Sequence, residues 1–313
     1  MSPIELHTIT SRPEWLAMRK KDVTASAVGA LTGRHDYLTA FALWGLKTGR
    51  IDEDPDESPA MQRGRLLEPV AVELLRETYR DWSFTRPNVY MRDPVIRLGA
   101  TPDVFASDPA RGLGIIQIKS VEPSVFRRKW RDAESGDVQP PLWILLQGLV
   151  EAHLAGAQWA AVAALTVGFG LDLHVVDIPL HAGAIDQVRQ DVTAFWKLVA
   201  SGDVPPIDYS LDARLIGKLY AEDDGDEIDL SGDQRFNELV ALKDVTAQTK
   251  NAAEKALVPL NAEILARMGN HAVARFAGGR VSAKTIRRKA YAVEASTYRS
   301  PRISHDRKKD TDE

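Results

Sequence analysis

The order of helical and strand-like apolar patterns restricts this chain of 313 residues to an α/β architecture. Helical spacing predicts helices over 14–33 with a break near 22–26, over 40–49, and over 60–79 around Pro69. Strand-like runs follow at 89–91, 98–105 and 114–118, and "SDPARGLG" is typical of a hairpin connection between the last two. A helix at 140–156, strands at 159–168 and 171–179, and a helix at 184–202 complete the pattern. We therefore predict a central mixed sheet flanked by helices.

The pattern changes after about residue 205. An acidic turn precedes a predicted long helix over 234–268, and a hairpin-like alternation covers 269–296. We expect a main domain over 1–205, a helical and hairpin extension over 206–300, and a disordered charged tail over 301–313.

Composition excludes several classes of function. The chain has no Cys, which excludes disulfides, thiolate zinc sites and cysteine-ligated iron–sulfur clusters. No apolar run is long enough for a transmembrane helix, and the N-terminus has no signal-peptide pattern, so we expect no membrane association and a cytoplasmic location. The net charge of -4 does not by itself indicate a nucleic-acid binder, although basic clusters occur at 19–21, 127–131 and 287–289. For any single cluster, a solvated surface is the favoured interpretation.

Polar residues at the ends of two neighbouring predicted strands suggest a metal site. Asp103 follows Pro102 at the end of the first strand, and Lys119 ends the next. Gln117 lies two residues before Lys119, so both side chains project from one face of the strand. The carbonyl of Ile118 and the carboxylate of Glu68 add two further oxygen ligands. Taken singly, each residue is also typical of a turn, a solvated helix face or a strand end.

Five ordered segments together resemble a known family. They are "WLAMRKKDVTAS", "RGRLLEPVA", "GATPDVF" with "GIIQIKS", "LLQGLVEAHLAGAQW" and "FWKLVASGDVPP". This set is similar to the lambda-exonuclease-like, YqaJ-type phage recombination exonucleases of the PD-(D/E)xK nuclease superfamily. The resemblance covers roughly the first two hundred residues and implies a restriction-endonuclease-like core.

The resemblance implies a role for each matched residue. Asp103, Gln117 and the Ile118 carbonyl would hold Mg²⁺, with Glu68 at a second metal or a water, and Mn²⁺ would substitute. Lys119 would position the water, and Gln147 would brace Lys119. The resemblance further implies that Arg19 and Ser26 bind a 5′ phosphate.

The activity implied by the resemblance is 5′-to-3′ exonuclease action on double-stranded DNA ends. The products are 5′ mononucleotides and a 3′ single strand for an annealing protein, and the implied assembly is a homo-oligomer, possibly a ring-shaped trimer.

Position 117 departs from the family pattern, which has Glu there. An amide oxygen can ligate magnesium but brings no negative charge. The alternatives are therefore a working nuclease and a weakened or inactive DNA-binding recombination accessory, and the sequence does not separate a natural Gln117 from an engineered one. Two further rivals are a helicase-associated or Cas4-like nuclease, disfavoured by the absence of Cys and of a P-loop, and a site-specific endonuclease.

Overall fold

The structure is a computed structural model that describes residues 3–51, 58–290 and 295–304. It divides into two compact units, residues 1–219 and 220–313. The first unit contains all of the residues discussed above as a possible site. The functional domain boundaries given above stay a prediction. Parts of the acidic loop at 51–59 and of the charged tail lie outside the described residues.

The first unit contains nine strands and eight helices within the described residues. The strands are β1 (Glu5–Thr8), β2 (Val23–Thr24), β3 (Ser83–Thr85), β4 (Val89–Asp93), β5 (Leu98–Ala100), β6 (Val104–Asp108), β7 (Gly112–Val121), β8 (Trp159–Val167) and β9 (Leu171–Ile178). The helices are α1 (Arg12–Lys21), α2 (Val28–Leu31), α3 (Ala40–Lys47), α4 (Pro59–Thr78), α5 (Pro123–Lys129), α6 (Leu142–Ala155), α7 (Ala182–Ser201) and α8 (Ala213–Leu219). A short 3₁₀ helix at Ala25–Ala27 joins β2 to α2.

A five-stranded mixed sheet forms the centre of this unit. Its order is β3-β6-β7-β8-β9, in which β7 and β8 are parallel and the other pairs are antiparallel. A second mixed sheet has the order β1-β4-β5-β2. The predicted α/β class with a central mixed sheet flanked by helices is confirmed.

The alternation of side chains along β7 assigns each face of the sheet to a different core. Ile115 and Val121 belong to the buried cluster that includes residues of α6 and α7. Ile116 and Ile118 belong to the cluster that includes residues of α4. Because successive strand residues alternate between faces, Gln117 shares the face of Ile115 and lies toward α6.

Local signals explain why the helices that flank the site begin and end where they do. Ser58 caps α4 by accepting a hydrogen bond from the Met61 amide at 3.2 Å. Helix α6 begins after Pro141 and ends at Gly156, whose φ of 63° is the left-handed conformation that glycine tolerates best. The site therefore lies between elements with well-defined ends.

One predicted element is wrong and others were missed. The single strand expected over 98–105 is two strands, β5 and β6, which belong to different sheets. The short strands β1 and β3 and helix α5, which lies in the basic stretch, were not predicted. β1 and β3 have four and three residues, too few for period-two alternation to be recognised.

The second unit contains a long helix and a hairpin in its described part. Helix α9 covers Gln234–Met268, and β10 (Val273–Phe276) pairs antiparallel with β11 (Gly279–Ser282). The predicted helix and hairpin are confirmed. The second hairpin strand ends at Ser282, and residues 291–294 of the predicted alternating pattern lie outside the described residues. Among the described residues, no helix is long and apolar enough to cross a membrane.

Candidate active site

Asp103 lies in the break between β5 and β6, directly before the first residue of β6. Val104 is paired with Ile116 across the β6–β7 ladder, so Asp103 lies beside the part of β7 that contains Gln117. Its Oδ2 accepts a hydrogen bond from the Ile118 amide at 2.8 Å and a second, short one from the Gln117 side-chain nitrogen. The break between the two strands therefore places the carboxylate against β7.

Helix α6 presents two polar side chains to the same face of β7. Gln147 Oε1 accepts a hydrogen bond from Lys119 Nζ at 3.0 Å, and Gln147 Nε2 donates to Gln117 Oε1 at 2.9 Å. The same nitrogen donates to Glu151 Oε1, also at 2.9 Å, one helical turn further on. Asp103, Gln117, Lys119, Gln147 and Glu151 thus form one connected set, called the polar network below.

Lys119 determines the orientation of both amides in the polar network. A lysine ammonium group only donates hydrogen bonds, so Gln147 must present its oxygen to Lys119 and its nitrogen to Gln117. Gln117 must then present its oxygen to Gln147, which leaves its nitrogen facing Asp103. That nitrogen is also 3.4 Å from the Ile118 carbonyl oxygen. An N–H donor therefore lies between the two oxygens expected to bind a cation.

Burial changes the proton affinity of both carboxylates in the network. Desolvation raises the pKa of Asp103 to about 6, opposed by the charge of Lys119 and reinforced by that of Glu68. Burial also raises the pKa of Glu151 well above its ordinary value, and the charge of Asp103 adds to this rise. The two carboxylates and the amine therefore influence one another electrostatically.

Glu68 lies close enough to Asp103 to affect its charge, but it has another partner. Glu68 is on α4 and forms a short ion pair with Arg86. In the described part of the chain, no group of three or more His, Cys, Asp or Glu residues has an arrangement that could hold a metal ion. A cation site built from the residues predicted above would therefore combine carboxylates with amide or carbonyl oxygens.

The two residues expected to bind phosphate lie in and just after α1. The Arg19 guanidinium stacks over the Trp15 ring at 4.4 Å from its centroid, and the Ser26 hydroxyl is 3.1 Å from the Thr24 hydroxyl. Trp15 in turn donates to the Thr101 hydroxyl at 3.2 Å, in the same break that contains Asp103. These contacts connect α1 with the Asp103 segment and give no direct test of phosphate binding.

Sequence reasoning missed Glu151 and an aromatic group beside Lys119. Lys119 Nζ lies 5.8 Å from the centroid of the Trp143 ring, which stacks on His35 at 4.4 Å between centroids. The signal for Glu151 was its spacing, because residues four apart on a helix share a face and Gln147 had already been assigned to the site.

The part of the chain that contains the polar network is similar to a known family. Residues 14–158 match the model of the YqaJ-like viral recombinase domain. The chain is 24% identical over 252 residues to the uncharacterized protein YqaJ of Bacillus subtilis (strain 168), covering 78% of this chain and 76% of that protein.

Two solved structures are also similar to this chain, at lower sequence identity. An alkaline exonuclease from Laribacter hongkongensis is 21% identical with a TM-score of 0.48, over 61% of this chain and 93% of that one. A phage related exonuclease from Haemophilus somnus 129PT is 15% identical with a TM-score of 0.46, over 57% of this chain and 94% of that one. Residues 14–158, which match the YqaJ-like viral recombinase domain model, include every member of the polar network.

Proposed function

We propose that this chain is a Mg²⁺-dependent 5′-to-3′ exonuclease that acts on double-stranded DNA and leaves 3′ single-stranded overhangs for recombination by strand annealing. The observation that supports it most is the polar network, in which a carboxylate and a lysine amine are linked through two buried amides inside the recombinase domain. Metal-assisted phosphodiester hydrolysis needs oxygen ligands that hold the cation, and a nearby lysine amine can offset the charge that develops on the phosphate.

The residues present fit a divalent cation. Asp103 Oδ2 and the Ile118 carbonyl converge on the Gln117 amide nitrogen, so two hard oxygens already face a common donor. Asp103 and Ile118 would hold Mg²⁺, with Mn²⁺ as a substitute, and Glu68 would hold a second ion. Gln117 would contribute Oε1 after its amide turns, which gives up the hydrogen bond from Gln147. A cation held there would lower the pKa of the attacking water and would offset negative charge on the phosphate.

Lys119 stabilises the charge that develops during hydrolysis. Its half-buried amine is held by Gln147 and has further N–H bonds to donate to a phosphate oxygen or to the attacking water. Gln147 fixes the direction of the amine and, through its nitrogen, the position of Gln117. Arg19 and Ser26 would bind the 5′ phosphate of the DNA end by charge-assisted hydrogen bonds.

A second function is favoured by one specific observation. The Gln117 nitrogen, rather than an oxygen, faces Asp103, which supports a DNA-binding recombination accessory with weak or no hydrolysis. Gln117→Glu distinguishes the two functions. An active wild type identifies the exonuclease, whereas hydrolysis that appears only after Gln117→Glu identifies the accessory.

The experiment is nucleotide release from linear duplex DNA with Mg²⁺ or Mn²⁺. We expect release by wild type and by Lys197→Ala, an exposed lysine on α7, and loss of release by Lys119→Ala. Equal release by Lys119→Ala would remove the assignment, because the amine would then have no part in the chemistry. Cleavage of covalently closed circular DNA would instead indicate an endonuclease.

The direction of digestion and the partners belong to the same proposal. Duplexes with a 5′ phosphate should be digested faster than those with a 5′ hydroxyl, and Ser26→Ala should reduce that difference. Double-stranded DNA ends, an annealing protein and a homo-oligomer, possibly a ring-shaped trimer, are the proposed partners. Sedimentation of the full chain with and without DNA tests the assembly.

A further inference from the structure

Glu151 is a buried carboxylate with an incomplete set of partners. Its side chain is 1% exposed, and Oε1 accepts the Gln147 amide at 2.9 Å. Its Oε2 is buried and has no hydrogen-bond partner. Burying a carboxylate in this way costs several kcal/mol unless a positive charge compensates it. A buried polar atom without a partner therefore calls for a physical explanation.

The cation site lacks one negative charge. Asp103 is its only carboxylate in the polar network apart from Glu151, because Gln117 is neutral and turns its nitrogen toward Asp103. The charge of Asp103 is offset by Lys119 and that of nearby Glu68 by its ion pair with Arg86, which leaves no excess negative charge to attract a divalent ion. Affinity for divalent cations rises with the number of charged ligands, so the network needs a second acid.

We propose that Glu151 supplies, from helix α6, the second negative charge of the divalent-cation site that Gln117 does not supply from β7. One amide nitrogen, that of Gln147, bridges Gln117 Oε1 and Glu151 Oε1 at 2.9 Å each, so the acid lies one side chain behind position 117. Glu151 also interacts electrostatically with Asp103 and with Lys119, and because burial raises its pKa, it would release a proton when a cation binds. The inference rests on the cation site of the proposed function.

The test moves the charge between the two positions. Mn²⁺ is titrated calorimetrically at fixed pH, without DNA, into the metal-free full chain of wild type, Glu151→Gln and the double variant Gln117→Glu with Glu151→Gln. We expect Glu151→Gln to weaken Mn²⁺ binding about 10- to 100-fold, because it keeps the acceptor for Gln147 and removes only the charge. The double variant should recover most of the lost affinity.

Asp212→Asn is the matched control. Asp212 is also a buried carboxylate, 2% exposed, but its partners are the Thr39 hydroxyl and the Asp208 amide. The Mn²⁺ affinity of Asp212→Asn should equal that of wild type. Circular dichroism should show that every variant is folded. A loss as large as that of Glu151→Gln would overturn the inference, since any buried acid would then have the same effect.

Three further results overturn the inference. The first is an unchanged Mn²⁺ affinity in Glu151→Gln, which would make Glu151 a hydrogen-bond acceptor only. The second is a double variant that binds Mn²⁺ as weakly as Glu151→Gln. The third is the absence of Mn²⁺ binding by wild type. The nuclease assay distinguishes these failures from failure of the proposed function. If wild type hydrolyses DNA while Glu151→Gln binds Mn²⁺ normally, the inference fails and the exonuclease assignment stands.

Discussion

Replacing Gln147 with Leu tests whether the polar network is a buried, hydrogen-bonded unit. Gln147 is 6% exposed, and Leu has a similar volume, so little cavity forms. The substitution removes all three hydrogen bonds that Gln147 makes to Lys119, Gln117 and Glu151. Lys119 is half-buried and can turn to water, but the two acceptors cannot.

The magnitude follows from those two acceptors. Gln117 is 2% exposed and Glu151 is 1% exposed, so their Oε1 atoms lose a donor in a place that water does not reach. Each buried acceptor left unsatisfied costs about 1–3 kcal/mol, which gives a loss of about 2–6 kcal/mol in the free energy of unfolding. Such a loss is a large fraction of the stability of an ordinary domain.

Equilibrium urea unfolding followed by tryptophan fluorescence measures this change. The matched variant is Gln187→Leu on α7, an exposed glutamine whose side-chain amide makes a single hydrogen bond, to Asp191 at 2.9 Å and four residues away. Its free energy of unfolding should change by no more than about 0.5 kcal/mol. If the Gln147 and Gln187 variants lose equally little stability, the network is solvated and the reasoning about amide orientation is refuted.

Three more predictions concern the same unit, and urea unfolding measures each of them. Because the folded state raises the pKa of Asp103 from its ordinary 3.8 to about 6, it binds more protons than the unfolded state between these values. The free energy of unfolding of metal-free wild type should thus fall by up to about 3 kcal/mol relative to that of Asp103→Asn as pH rises from 4 to 7. A difference between the two proteins that does not change with pH would contradict this. Gly29→Ala should lower the free energy of unfolding by about 1–3 kcal/mol, because the new Cβ would lie 2.6 Å from the Cβ of Trp143 on α6. Gly64→Ala, in open space on α4, should raise the free energy of unfolding by about 0.5–1 kcal/mol. If the Gly29 and Gly64 variants changed the free energy of unfolding in the same direction, the packing argument would be refuted. Arg92→Leu should lower the free energy of unfolding by about 3–5 kcal/mol, because it removes hydrogen bonds of 2.8 and 2.9 Å from the fully buried Asp22. Adding Asp22→Asn should recover part of that loss. Strictly additive losses from the two substitutions would argue against a buried pair.

Local patterns in the sequence determined most of the secondary structure. Helical spacing located α4, α6 and α9, and alternating or continuous apolar runs located β7, β8 and β9. The same period-two rule placed Gln117 and Lys119 on one face of β7, as the structure has them. These features are readable because periodicity records which side of an element is buried.

Only the tertiary structure decided how the site's polar groups face one another. The break between β5 and β6, the bonds from Gln147 to β7 and the burial of Glu151 depend on the register between elements about thirty residues apart. An amide has a donor end and an acceptor end with nearly the same shape, so no sequence pattern records which end meets Asp103. That choice follows from a lysine that can only donate, and it becomes visible once the chain is folded.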